Sequence, residues 1–251
     1  CMLSYLMGLG VRASAEMLSS RFRWVRRYRD IFRTHPLTMS RAGGAVYTRK
    51  WIADLMLDAV GYTPDKDLAS VRVLEPSCGR GAFLIPIVRR LCESLDGRDR
   101  TVDDIRDSIL AVDIDAAILE ECRKEVESVL ESYGFLAEQA SYLSSEWLRQ
   151  EDFLLNDHHG FDLVIGNPPY INSDDILEKA RKAYSERLDT VTMGTDLFVG
   201  FIENGLRSLV PGGRLCFICA DRWMQNAYGR RLRGYITGSY RMEAICRMHG
   251  V

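Results

Sequence analysis

Val71-Arg72-Val73-Leu74-Glu75-Pro76-Ser77-Cys78-Gly79-Arg80-Gly81-Ala82-Phe83 is the stretch that decides the fold of this chain. It opens with apolar residues that suit a strand, reaches an acid, passes through a Gly-x-Gly turn and runs into a helical pattern over 82–95. Glycines in such a turn let the backbone approach a ligand closely at the carboxyl end of a strand, where open α/β sheets bind their ligands. Downstream, residues 109–113 (ILAVD) form a second apolar run ending in Asp113, a carboxylate placed to accept both hydroxyls of a ribose. Residues 161–166 (FDLVIG) are a further run, and 196–218 read as a helix, a Pro-Gly-Gly turn and a buried strand, RLCFI. Strands and helices alternating at this spacing predict an α/β, Rossmann-like, doubly wound parallel sheet.

The run 161–166 closes on Asn167-Pro168-Pro169-Tyr170. Asn167 offers a side-chain carbonyl, and Pro168 a backbone carbonyl whose direction is restricted because both prolines have fixed φ. Tyr170 presents a ring that can stack on a planar group. Such a set can hold an exocyclic amino group while something is transferred to its nitrogen. Taken alone, the tetrad reads more simply as a Pro-Pro stop after a strand. Its company reverses that reading: Glu75–Phe83, Asp113 and an acid-aromatic pair at Glu151-Asp152-Phe153 stand upstream in order.

Other nucleotide sites fit less well. After Gly79 and Gly81 the third glycine of a dinucleotide fingerprint is missing, and no Gly-Lys-Ser/Thr phosphate loop occurs. Composition is that of a globular protein, with 47% hydrophobic and 27% charged residues over 251 positions. No apolar run approaches a membrane span of about 18 residues. Seven cysteines, an odd number, fit a reducing compartment. Cys216 and Cys219 make a CxxC, but their odd separation within a strand puts them on opposite faces, and the four histidines lack ligand spacing. No metal site is expected.

EPSCGRGAF (75–83), VDID (112–115), EDF (151–153), GNPPY (166–170) and the DLF…PGG block (196–213) together resemble the ordered motifs of the γ-type DNA adenine-N6 methyltransferases of restriction–modification systems. These are class I enzymes that use S-adenosylmethionine. The resemblance covers roughly residues 40–250. Gly44-Ala45-Val46-Tyr47-Thr48 is similar to their N-terminal Tyr-Thr-Pro motif, which contacts the methionine end of the cofactor; Arg49 replaces the proline, and Thr48 is expected to cap a helix over 49–60. The resemblance implies that Glu75, Ser77, Gly79 and Gly81 cradle the methionine half. It likewise implies that Asp113 clamps the ribose, Ile114 packs on the adenine ring, Asp152 accepts that ring's amino group and Phe153 lies against it. Asn167, Pro168, Pro169 and Tyr170 would be catalytic, holding an adenine flipped out of double-stranded DNA, in the cytoplasm.

Residues 1–50 carry ten Lys and Arg against two acids, and the remainder 23 against 33. Much of the positive charge lies in 21–33 (RFRWVRRYRDIFR), where apolar residues follow a helical period. The expected organisation is a basic helical extension over 1–40 and a catalytic domain over 41–251, with the target-recognition domain absent. A start at Cys1 and an end at His249-Gly250-Val251, where another strand is expected to begin, suggest part of a longer protein. Competing readings are an RNA adenine-N6 methyltransferase, a protein-glutamine methyltransferase of the release-factor type, and a fragment that binds cofactor without activity. The tetrad suits adenine in DNA, adenine in RNA and a glutamine amide alike; EPSCGRGAF and the Tyr-Thr motif resemble the DNA enzymes more closely than the glutamine enzymes, and the RNA reading is the closer rival.

Overall fold

The computed structural model describes residues 4–11, 41–42, 45–46, 48–98, 100–172 and 175–248. In chain order the strands are β1 (Ser4–Val11), β2 (Arg41–Ala42), β3 (Ala45–Val46), β4 (Val73–Glu75), β5 (Ile109–Asp113), β6 (Leu148–Gln150), β7 (Phe161–Gly166), β8 (Leu209–Ala220) and β9 (Tyr240–Met248). The longer helices are α1 (Lys50–Val60), α2 (Leu84–Leu95), α3 (Ala116–Ser132), α4 (Ala137–Trp147), α5 (Glu178–Arg187), α6 (Phe198–Arg207) and α7 (Arg230–Ser239). Seven strands form one sheet in the order β6-β5-β4-β7-β8-β1-β9, while β2 and β3 pair separately.

Strands β6, β5, β4, β7 and β8 run parallel. Their side chains alternate between two cores, which explains why the sequence shows continuous apolar runs rather than apolar-polar alternation. Ile109, Ala111, Leu163, Ile165, Cys216 and Ile218 face the core shared with α1 to α4. Leu110, Val112, Val164, Leu215, Phe217 and Cys219 face the core shared with α5 to α7. Cys216 and Cys219 therefore do point to opposite sides of the sheet. Chain order reverses at β4, which lies between β5 and β7, so the crevice of the sheet opens at the carboxyl ends of β4 and β7.

Several local expectations change. Residues 4–11, expected in a helical extension, form β1, antiparallel to both β8 and β9. Insertion there gives the backbone groups of two strand edges a partner, a strong requirement once the sheet is covered on both faces. The basic segment 21–33 lies outside the described residues. Thr48 does not cap α1: the N-cap position falls on Arg49 and no side-chain cap bond forms. Pro211-Gly212-Gly213 does not leave the sheet as a turn. It is absorbed into β8 as an irregularity, with Gly212 at φ 87°, between the pairings Phe161↔Leu209 and Leu163↔Arg214. Asp115 does cap α3, accepting from the N–H groups of Ala117 and Ile118.

Candidate functional site

At the end of β4 the chain enters a tight turn in which Gly79 and Gly81 hold φ of 52° and 85°. Gly81 has a second reason to lack a side chain: a Cβ there would lie 3.0 Å from both Cys122 Sγ and Ile85 Cγ1. At Gly79 a Cβ would meet nothing within 4 Å, so this position opens onto free space. The turn is tied to β5 by two bonds, Cys78 N–H to the Val112 carbonyl (2.9 Å) and Gly79 N–H to Asp113 Oδ2 (2.8 Å). Asp115 N–H donates to Asp113 Oδ1 (3.1 Å). Both oxygens of Asp113 are thus oriented by backbone, while each keeps acceptor capacity for a ligand.

β7 delivers Asn167 beside this turn. Ser77 Oγ donates to the Asn167 carbonyl (3.4 Å), and Asn167 Nδ2 donates to Thr48 Oγ1 (3.1 Å). Tyr170 packs on Phe198 of α6, with ring centroids 6.3 Å apart and planes 50° apart. Behind it, Leu197 N–H donates to the Ile171 carbonyl (2.8 Å), and Asn172 forms a β-bridge with Asp196. Segment 167–172 is thereby held from three directions.

A cavity of about 190 Å³ is lined by Thr48, Glu75, Ser77, Gly79, Asp113, Asn167, Pro168, Pro169 and Tyr170. Cys78, Arg80, Ala82 and Phe83 of the EPSCGRGAF run, together with Ile118, which carries no motif signal, complete the wall. A larger hollow of about 830 Å³ lies beside the carboxyl end of α2, lined by residues such as Tyr133 and Arg98. It contains none of the motif residues, so chemistry rather than size selects the smaller cavity.

Glu75 is the most constrained acid of the site. It is 1% exposed, and its Oε2 has no hydrogen-bond partner among the described residues. Burial, with Cys122 and Asp113 nearby, pushes its carboxyl well above the usual carboxylate range; the backbone N–H groups of Leu84 and Phe83 offset this only in part. A buried acid with an orphan oxygen is costly unless a ligand completes it.

Three expected cofactor contacts sit differently. Ile114 is 68% exposed and does not line the cavity, so an apolar surface is on offer beside Asp113 but is not enclosed. Asp152 is engaged within the protein, Oδ1 accepting from Leu154 N–H (3.0 Å) and Oδ2 from the Tyr184 hydroxyl (2.6 Å). Phe153 is 2% exposed and packs in the second core, stacked on His158 and tilted against Phe201. Neither Asp152 nor Phe153 lines the cavity. The reason is tertiary, since α5 and α6 cover this edge and take up both side chains. Tyr184 carried no sequence signal for that role.

Residues 90–250 match the family described as Eco57I restriction-modification methylase. The chain belongs to this family. The chain is 38% identical over 218 residues to the Type II methyltransferase M.BstVI of Geobacillus stearothermophilus, covering 83% of this chain and 39% of that protein. It is 39% identical over 211 residues to M.PaeR7I of Pseudomonas aeruginosa, covering 82% and 37% respectively. The chain thus spans about two fifths of the length of the curated relatives it matches. The fold resembles that of the type IIG restriction endonuclease BpuSI, with a TM-score of 0.56 at 16% identity over 78% of this chain and 22% of that one. It also resembles the type ISP restriction-modification enzyme LlaBIII, with a TM-score of 0.54 at 17% identity over 80% and 16%. This Eco57I-family member has, among its described residues, no helix long and apolar enough to cross a membrane. The same residues contain no cluster of three or more His, Cys, Asp or Glu placed to hold a metal.

Proposed function

We propose that this chain is the methyl-transfer portion of a site-specific DNA methyltransferase of a restriction–modification system, acting in the cytoplasm on adenine N6 with S-adenosylmethionine as donor. One observation carries the reading: Glu75, Asp113 and the Asn167–Tyr170 tetrad line a single cavity at the switch point of the sheet. The names of the relatives support DNA methylation, and the tetrad supports an amino nitrogen as acceptor.

The residues present fit the donor. The orphan Oε2 of Glu75 suits an ammonium group, the free space at Gly79 admits a ligand close to the backbone, and Asp113 keeps lone pairs for hydroxyls. S-adenosylmethionine, when bound, supplies an electrophilic methyl on a sulfonium. Glu75, Ser77 and Thr48 would hold its methionine end, and Asp113 its ribose.

The remaining work falls to the tetrad. Adenine's amino nitrogen is a poor nucleophile because its lone pair is delocalised into the ring. Acceptance of its two hydrogens by Asn167 Oδ1 and the Pro168 carbonyl favours a more tetrahedral nitrogen and aims the lone pair at the methyl. The nitrogen becomes acidic only as the new N–C bond forms and the methyl parts from its donor; its surplus proton would then pass to water, so no strong base has to act first. Positioning and preorganised dipoles supply most of the acceleration. Extruding the base costs on the order of a few kcal/mol, and stacking on Tyr170 returns about 1–3 kcal/mol. Asn167 Oδ1 is covered in this conformation, so base entry must open its cover.

The test is transfer of labelled methyl to DNA, RNA and a release-factor peptide in parallel, followed by nucleoside analysis. N6-methyladenine in DNA is the expected product. Label confined to RNA, peptide or N4-methylcytosine would overturn the reading.

A further inference from the structure

We infer that Thr48 is a positioning residue for the Asn167 carboxamide: it decides which end of that amide is presented to the acceptor amino group. The inference rests on the adenine-transfer reading above and assigns Thr48 a role toward the acceptor, beyond the donor.

A carboxamide is nearly symmetric in shape and opposite in chemistry at its two ends. Its oxygen accepts and its nitrogen donates. Rotated by half a turn, Asn167 would offer two N–H groups to an amino group that itself has only hydrogens to give, and the contact would change from attraction to repulsion. Strand β7 and the prolines fix the backbone of the tetrad, but they leave this rotation undetermined. Something outside the tetrad has to set it.

Thr48 is placed to do so. Its Oγ1 lies 3.1 Å from Asn167 Nδ2, across 119 residues of sequence, and both residues line the cavity. With Nδ2 committed to Thr48, Oδ1 is the end turned away from it. The Asn167 main chain is fixed separately, through its carbonyl, by Ser77 Oγ (3.4 Å). Ser77 thus holds the backbone, and Thr48 holds the amide plane. A threonine hydroxyl has acceptor lone pairs and one hydrogen. Accepting from Asn167 leaves that hydrogen free to donate, which permits one side chain to touch both the methionine end of the donor and the amide facing the acceptor. Thr48 is not occupied as the cap of helix α1, whose N-cap falls on Arg49 without a side-chain bond.

Two measurements on the full chain test this. First, the Asn167 side-chain amide resonances are followed in asparagine-labelled protein, assigned by their loss in Asn167→Asp. Thr48→Val should shift them and remove their protection from hydrogen exchange, and Thr48→Ser should preserve both. Unmoved resonances in Thr48→Val overturn the contact, whatever the protein catalyses. Second, at saturating S-adenosylmethionine, Thr48→Val should lower kcat for methyl transfer to DNA by about ten-fold or more, with Thr48→Ser restoring most of it. A raised cofactor KM with kcat retained would confine Thr48 to donor binding and overturn its positioning role. Wild-type protein that methylates no adenine would defeat the functional reading, while the resonance experiment still decides the contact.

Discussion

Replacing Glu75 by Gln is expected to stabilise the ligand-free protein and weaken donor binding, with the first effect growing as pH rises. The carboxyl is buried at 1% exposure, and its ordinary value of 4.5 is raised in the folded state, first by burial and then by Cys122 and Asp113. Above pH 4.5 the unfolded chain releases this proton while the folded protein keeps it. The folded state then binds more protons than the unfolded one, so stability falls with rising pH, by at most about 1.4 kcal/mol per pH unit. The contribution is fully present below 4.5 and lost as pH climbs through the raised folded value. Gln fills nearly the same volume and does not titrate. The stability difference between variant and wild type should therefore be flat below pH 4.5 and then widen in favour of the variant. It should level off once the folded carboxyl ionises. Urea unfolding from pH 4 to 8 measures this difference directly, provided the m-values agree. Donor binding should move the opposite way. An ammonium loses its carboxylate partner, and affinity should fall by about ten-fold or more. At a pH where the free protein keeps Glu75 protonated, wild-type binding should also release a proton as Glu75 ionises, seen as a buffer-dependent enthalpy that Glu75→Gln abolishes. Parallel pH–stability curves for the two proteins would refute the reasoning.

Asn167→Ala should abolish methyl transfer while leaving affinity for S-adenosylmethionine within a few-fold, checked by calorimetry alongside the transfer assay. Gly81→Ala forces a side chain into φ 85° and against Cys122 and Ile85, and should cost about 1–3 kcal/mol in chemical denaturation as well as weaken donor binding. Glu203 is fully buried, accepts from Asp189 N–H, Thr190 N–H and Thr190 Oγ1, and is paired with Arg207; Glu203→Ala should cost about 3–5 kcal/mol and loosen the 189–196 loop in hydrogen exchange.

Much of this protein was determined by its sequence alone, because the relevant physics is local. Strand β5 at 109–113, the helix capped by Asp115, the positive-φ glycine turn and the end of β7 at Gly166 follow from short-range sterics, backbone hydrogen bonding and burial period. The order of the motifs along the chain also carried the family. Tertiary structure decided what depends on contacts between distant segments. Ser4–Val11 became a strand because two sheet edges were available to it, which no property of that segment announces. Asp152 was engaged by the Tyr184 hydroxyl and Phe153 was drawn into the second core beside Phe201, since burial and hydrogen bonding are settled by whichever partners the fold delivers. Thr48 exchanged the cap expected of it for the amide of Asn167. The tetrad was legible as a rigid pair of acceptors. The bond that holds its amide formed only when folding brought together two side chains 119 residues apart.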